Sequence, residues 1–158
     1  MAEEVAEIFS KHIFSSKYED WSEKTIKQLK VFLLDTIGVG IAGSTGSKLN
    51  ELKKIAHTWS KGKNCTVLGT WDRYSREAST LINAYQIHCL EFDCIHEGAV
   101  VHPMAAILSS LLAHCEEINN LGHYTIGKEF LISLALGVDI ASFLGISQET
   151  FSRLRAQK

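Results

Sequence analysis

Proline is almost missing from this chain: Pro103 is the single one among 158 residues. A sequence that avoids proline so thoroughly has placed this one somewhere specific. Positive charge is not in excess either. With 16 basic against 18 acidic side chains, a formal net charge of −2 and a pI near 6.4, no broad cationic footprint exists to hold a phosphate backbone, so nucleic acid is not an expected partner. The four cysteines, Cys65, Cys89, Cys94 and Cys115, form no C-x-x-C pair and no even framework. The opening MAEEVAEIFSK lacks both the basic start of a secretory signal and the arginines of a mitochondrial transit peptide. Reduced thiols in a cytoplasmic setting are therefore expected, with a mitochondrial one left open. A clean membrane span is absent as well: Gly98 to Cys115 carries no charge apart from two histidines, but His102, Pro103, Ser109, Ser110 and His114 interrupt it. It reads as a buried helix, and no membrane partner is expected.

What is present is a 46% hydrophobic composition with no repeat, low-complexity tract or charged tail. A chain of this length buries about 68–70% of its unfolded surface, enough for a core without staples, so stability does not force a cofactor. Residues 1–158 are expected to form a single helical domain.

The apolar spacing is helical almost throughout. Val5, Ile8, Phe9, His12 and Ile13 line one face of a first helix over Ala2 to Ser15. Ser22 starts a second, whose broad apolar side (Ile26, Leu29, Phe32, Leu33, Ile37, Val39) implies burial on more than one flank. Its tail loses side chains at Gly38, Gly40, Gly43 and Gly46, which suits close approach of a neighbouring helix or a frayed end. A phosphate-cradling reading of GVGIAGSTGSK fails on context, because such a loop follows a strand and precedes a helix, and here a helix runs into the glycines. Leu52, Ile55, Ala56 and Trp59 suggest a short third helix. Cys65 to Leu68 is the one stretch that reads as a strand, ended by Gly69. Ser75 opens a helix reaching about Glu91, and Pro103 begins another at the position where its missing N–H costs least. Thr125 is expected to cap a last helix that stops at Gly145. The fold class is thus all-α, a multi-helix bundle-like domain with at most one very short strand near residues 65–68.

Chemistry is concentrated in HCLEFDCIHEGAVVHP, which gathers His88, Glu91, Asp93, Cys94, His96, Glu97 and His102 on a turn between two buried helices. Rigid helices hold such a turn while substrate still reaches it. His102, directly before a helix N-terminus, meets the positive end of the macrodipole, which disfavours the imidazolium and suits a proton-accepting neutral ring. The same end presents N–H groups to a carboxylate. Together these point to proton abstraction next to a carboxylate. Two other readings stand beside it. In one, His102 merely caps the helix and the acids are solvated loop residues; in the other, Cys94, His96 and His102 with Asp93 supply zinc-compatible ligands, although their spacing matches no standard motif. The remaining thiols, Cys65 and Cys115, look like small core residues.

Here the sequence resembles the MmgE/PrpD family, which includes 2-methylcitrate dehydratase, cis-aconitate decarboxylase and iminodisuccinate epimerase. The family pattern runs approximately H-x-L-D-F-D-D-T-H, a few small residues, then H-P, and this chain reads H-C-L-E-F-D-C-I-H-E-G-A-V-V-H-P. LLDTIGVGIAGS, VLGTWDRYSREAS and LINAY upstream, and GKEFLISLALGVDIASFLG downstream, are similar to the family's helical core. The resemblance implies a cofactor-independent lyase, no resident metal, an expected homodimer, and small di- or tricarboxylic acids as substrates. By position, His102 would be the proton-transfer histidine, Glu91 stands for a usual aspartate of the active-site loop, and Asp93 matches the next acid. His96 and His88 would line the substrate pocket.

Three departures bear on substrate: Cys94 replaces a usual aspartate, Ile95 a threonine, and Met104 a common serine after H-P. Family members also continue into a region supplying a second histidine with lysine and tyrosine side chains, and into an α+β lid. The chain is expected to represent an N-terminal portion of such an architecture, poorly active alone. Charge agrees with this expectation: no lysine or arginine lies between Arg76 and Lys128, whereas Glu77, Glu91, Asp93, Glu97, Glu116 and Glu117 do. The alternative is a catalytically silent helical module that dimerises or associates through uncovered apolar faces.

Overall fold

The computed structural model describes the backbone of residues 2–156 and the side chains of residues 6–144. Six α-helices make up most of it: α1 (Ala2–Ser15), α2 (Glu23–Ala42), α3 (Leu49–Trp59), α4 (Arg76–His88), α5 (Pro103–Asn120) and α6 (Gly127–Ala156). Between α3 and α4, β1 (Cys65–Thr66) and β2 (Arg73–Tyr74) pair antiparallel, Cys65 opposite Tyr74 and Thr66 opposite Arg73. Only the first of these strands is legible in the sequence, because it opens the run Cys65 to Leu68; the second stands in no such run. Val5, placed by its spacing on the apolar face of α1, has a side chain outside the described residues.

Helix starts follow their caps. The Ser22 hydroxyl accepts the Thr25 N–H at 3.1 Å and opens α2, the Ser75 hydroxyl accepts the Ala78 N–H at 3.4 Å and opens α4, and Pro103 occupies the first turn of α5. Three boundaries differ from expectation. Helix α4 ends at His88 rather than Glu91, because Glu91 sits at φ 53, in left-handed space where a right-handed helix cannot continue. Thr125 does not cap α6: its N–H goes to Asn119 Oδ1 at 3.0 Å, and Glu129 instead reaches back to the Ile126 N–H at 3.1 Å. Nor does α6 stop at Gly145. It runs on to Ala156, since an interior glycine weakens a helix by only about 1 kcal/mol and Gln148, Glu149 and Leu154 beyond it are good helix formers.

Helix α4 lies at the centre. Its Ala78 and Ile82 pack with Leu49, Ala56 and Val67, and its Ile87 packs with Met104, Ala105, Leu108 and Leu134 from α5 and α6. The polar residues Ser79, Asn83 and Gln86 recur at helical spacing and are also buried. Each reaches the backbone of a neighbour. Ser79 donates to the Cys65 carbonyl at 2.9 Å, and Asn83 donates to the Thr66 carbonyl at 3.0 Å while accepting the Leu68 N–H at 2.8 Å. Gln86 donates to the carbonyls of Gly40 at 3.1 Å and Leu68 at 2.9 Å. The helix thereby satisfies β1 and the chain after it, which lacks a wider sheet to bond to.

The glycines at the end of α2 let it approach α4 closely. A methyl placed on Gly43 would overlap the Gln86 carbonyl, and one on Gly40 would come within 2.8 Å of Leu68 Cδ1 and 3.0 Å of Ile87 Cγ1. Gly38 faces open space. The rest of α2 falls short of the expected burial on more than one flank: Leu33 and Ile37 pack against the cluster of α4, α5 and α6, but in the helix only Thr36 and Gly40 are fully buried, and Leu34 is 73% exposed. It lies at the edge of the packed helices.

Gly43→Ala is expected to lower unfolding free energy by about 1–3 kcal/mol, the usual cost of forcing an atom into a packed contact. Gly38→Ala is expected to raise it by up to about 1 kcal/mol through helix propensity alone. Urea denaturation of the two variants beside the parent checks both; equal effects would mean that α2 does not meet α4 at Gly43.

Candidate functional site

The end of α4 and the start of α5 are brought side by side, and the intervening loop folds back between them. That loop is held by a short bridge in which the His96 N–H donates to the Val101 carbonyl at 2.9 Å. Glu91 at φ 53 and Val100 at φ 52 both take left-handed backbone, which is strained for a β-branched residue such as Val100. The result drops Asp93 inward. Its side chain is 0% exposed, the most buried carboxylate of the loop.

Two imidazoles flank that carboxylate. His88, the last residue of α4, places Nδ1 3.1 Å from Asp93 Oδ1 and 3.3 Å from Oδ2. His102, immediately before α5, places Nδ1 3.2 Å from Asp93 Oδ2, but off the line of a hydrogen bond, so this buried nitrogen has no hydrogen-bond partner. The two rings meet edge to face, 4.8 Å between centroids and 64° between planes. His88 is 51% and His102 33% exposed along the side chain, so both rings join the buried acid to solvent. With Nδ1 of each ring turned to Asp93, Nε2 is the atom each presents outward. A cavity of about 480 Å³ opens beside the pair, lined by Leu81, Ala84 and Tyr85 of α4, Ala105 and Ala106 of α5, and Leu52 of α3.

Of the residues singled out by sequence, His88, Asp93 and His102 come together, and Glu91 and His96 do not join them. Glu91 is exposed at the loop's first corner. His96 accepts the Ala99 N–H on Nδ1 at 3.1 Å and borders a different cavity of about 270 Å³, with Cys94, Ile95, Met104, Phe32 and Val138. The zinc-compatible set of Cys94, His96, His102 and Asp93 is therefore split: Cys94 and His96 border one cavity, His102 the other, and Asp93 is buried against His102. Burial, reinforced by the charges of Asp93 and Asp35, pushes the Cys94 thiol up, away from the thiolate a metal would need. Burial likewise pushes Cys65 up to about 11, and its Sγ donates to the Ala113 carbonyl at 3.2 Å, as suits a core residue. The lining from Leu81, Ala84 and Tyr85 was hidden in a stretch that reads as core; its three-and-four spacing ending on His88 is the signal that could have found it.

Field as well as shape distinguishes the site. Arg76 is engaged by Glu117 at 2.6 Å and Glu77 at 3.2 Å, and no lysine or arginine follows before Lys128, itself paired with Glu19 at 2.7 Å. The loop is acidic and uncompensated by cations of its own segment.

A model of the MmgE/PrpD N-terminal domain matches residues 7–154. The chain is similar to a cis-aconitate decarboxylase-like protein, oryM, of Aspergillus oryzae, 27% identical over 132 residues that cover 82% of this chain and 27% of that protein. It is also similar to the cis-aconitate decarboxylase of Homo sapiens, 26% identical over 141 residues, covering 89% of this chain and 29% of that enzyme. The mouse enzyme is 25% identical over the same length and 28% covered. The chain thus spans less than a third of the length of these relatives.

The burial of Asp93 between two rings has a measurable consequence. His88→Ala or His102→Ala leaves the carboxylate one imidazole, and each is expected to lower stability by about 1 kcal/mol. The double variant leaves a buried charge with none and is expected to lose about 3–5 kcal/mol, more than the sum. Urea denaturation at neutral pH reads the difference, and strictly additive losses would show that Asp93 does not depend on the pair. The Cys94 thiol, pushed up by burial, is expected to react with iodoacetamide more slowly than a free peptide cysteine at mildly alkaline pH, as followed by peptide mass analysis.

Proposed function

Because the chain belongs to the MmgE/PrpD family, through that family's N-terminal domain, we propose that it supplies the proton-transfer half of a lyase site acting on small di- or tricarboxylic acids such as cis-aconitate or 2-methylcitrate. The observation that carries the reading is the buried Asp93 carboxylate held between His88 and His102 at the mouth of a cavity. In it, His102 transfers the proton through Nε2. Asp93, whose Oδ2 lies 3.2 Å from His102 Nδ1, acts as a positioning residue that steadies the ring electrostatically when the ring is charged. His88, which lines the same cavity as His102, contacts the substrate; His96 borders the other cavity and Glu91 stands at an exposed corner, so neither is given a role in this site.

The proton bookkeeping fits either of two outcomes. In an elimination, His102 takes the proton from the carbon next to a carboxylate, the C–H pair becomes the new double bond, and hydroxide leaves to be protonated as water. In a decarboxylation, the carbon–carboxylate bond breaks, carbon dioxide departs without its electron pair, and the carbanion so formed takes a proton from the His102 imidazolium. Both pass through negative charge next to a carboxylate, and both need cations that residues 77–127 do not contain. We assign those cations to residues outside that segment, within a larger architecture or a second copy in a homodimer. The cytoplasm is the proposed setting; no single helix among the described residues is long and apolar enough to cross a membrane.

A second reading is favoured by one observation: Phe14 of α1, 88% exposed, and the open flank of α2 leave apolar surface uncovered. On that reading the chain is a silent helical module that associates through these faces. Incubating the purified chain with cis-aconitate and with 2-methylcitrate, and following products by chromatography, separates the two. The lyase reading expects slow turnover that His102→Ala lowers by at least about 100-fold, the contribution of a positioned general base. Turnover untouched by that substitution would sink the role of His102. No turnover together with a concentration-dependent oligomer would favour the silent module.

A further inference from the structure

We infer that the second cavity, between α2, α5 and α6, is a binding site for a small aralkyl amine, an aromatic ring on a short tail that ends in a protonated nitrogen. It shares no lining residue with the cavity beside His88 and His102, so the inference goes beyond the lyase reading and does not rest on it. Two of its walls follow helical spacing. Thr25, Gln28, Leu29 and Phe32 recur at three and four along α2, and Ala135, Val138 and Asp139 do the same along α6. Met104 of α5 and Ile95 of the loop complete the enclosure. The volume is about 270 Å³. An apolar cavity of roughly 150 Å³ takes up benzene, so one ring with a tail of two or three atoms fits here.

Polarity decides the class of ligand. Cys94, Ile95 and Met104, the three positions at which the chain departs from the family pattern, all line this cavity. Each puts an apolar or sulfur side chain where a carboxylate or hydroxyl is usual. The Cys94 thiol is kept protonated, since burial and the negative charges of Asp93 and Asp35 push it up, and a protonated thiol packs as a small hydrophobe. Formal charge at the rim has one sign. Asp139 is the one carboxylate among the lining residues, no lysine or arginine is among them, and His96 spends its Nδ1 lone pair on the Ala99 N–H. A carboxylate ligand would meet repulsion from Asp139 with no cation to offset it, whereas an ammonium meets a partner. The neighbour of Asp139 is His12, with Nε2 at 3.3 Å, and both side chains are about half exposed, a weak contact that an ammonium can replace.

Three probes with the same ring and similar tails separate size from charge: 2-phenylethylamine, 2-phenylethanol and 3-phenylpropanoate, each titrated calorimetrically into the full chain at neutral pH and low salt. No turnover is involved, so the lyase reading can stand or fail without altering the result. The expected outcome is saturable binding of one amine per chain, about threefold to fivefold tighter than the alcohol, with the carboxylate weakest. Asp139→Asn is expected to remove that amine preference, the scale of a half-exposed ion pair, and to leave the alcohol within about twofold. Ala135→Leu, which puts a larger side chain into the cavity, is expected to weaken amine and alcohol alike at least about tenfold. The inference is overturned by absence of saturable amine binding, or by amine affinity that survives Ala135→Leu in a variant shown to be folded by circular dichroism. It is equally overturned by an amine preference unchanged in Asp139→Asn, or by a carboxylate that binds as tightly as the amine.

Discussion

Everything in this structure is hung on a helix whose packed side is half polar. Helix α4 meets α2, α3 and α5, and a helix side buried in that way would ordinarily be apolar. Instead Ser79, Asn83 and Gln86 form a buried polar stripe whose partners are carbonyls and an N–H of β1, of Leu68 and of Gly40. A two-residue strand cannot satisfy its own backbone, and a helix side chain does it instead. The arrangement fixes rotation and height of α4 together, because turning it by one residue would leave three buried polar groups and several carbonyls without partners.

The site inherits that fixity. His88 is the last residue of α4 and His102 the residue before α5, so the distance between the two rings is set by how those helices pack, not by the loop. The loop's contribution is Asp93, driven inward by a chain reversal with left-handed corners at Glu91 and Val100. Rigid helix ends with a strained connection between them keep a charged group dry while leaving both its neighbours wet. That combination is useful for moving a proton, and costly for stability alone.

The helices were legible because their apolar residues recur at three and four, and their starts because Ser22, Ser75 and Pro103 are strong local signals. The stripe on α4 was not, since Ser79, Asn83 and Gln86 carry the composition of a solvated face and only the contacts to β1 reveal otherwise. Helix ends failed where the deciding group lies elsewhere: Asn119 takes the Thr125 N–H, and a backbone torsion at Glu91 ends α4. For the site, crowding between His88 and Pro103 identified the right segment. Which members meet depended on the inward turn at Asp93, which is buried against the two rings while its neighbour Cys94 borders another cavity, something no linear spacing encodes.

The lack of any basic residue between Arg76 and Lys128 also has a kinetic side. An anion diffusing toward the His88 and His102 cavity approaches like charge over the last Debye length, about 10 Å at 0.1 M salt. Its association with this chain should therefore quicken as ionic strength rises, the reverse of the behaviour of a site lined with cations. Ionic strength thus becomes a gauge of how much of the electrostatic environment the chain carries by itself.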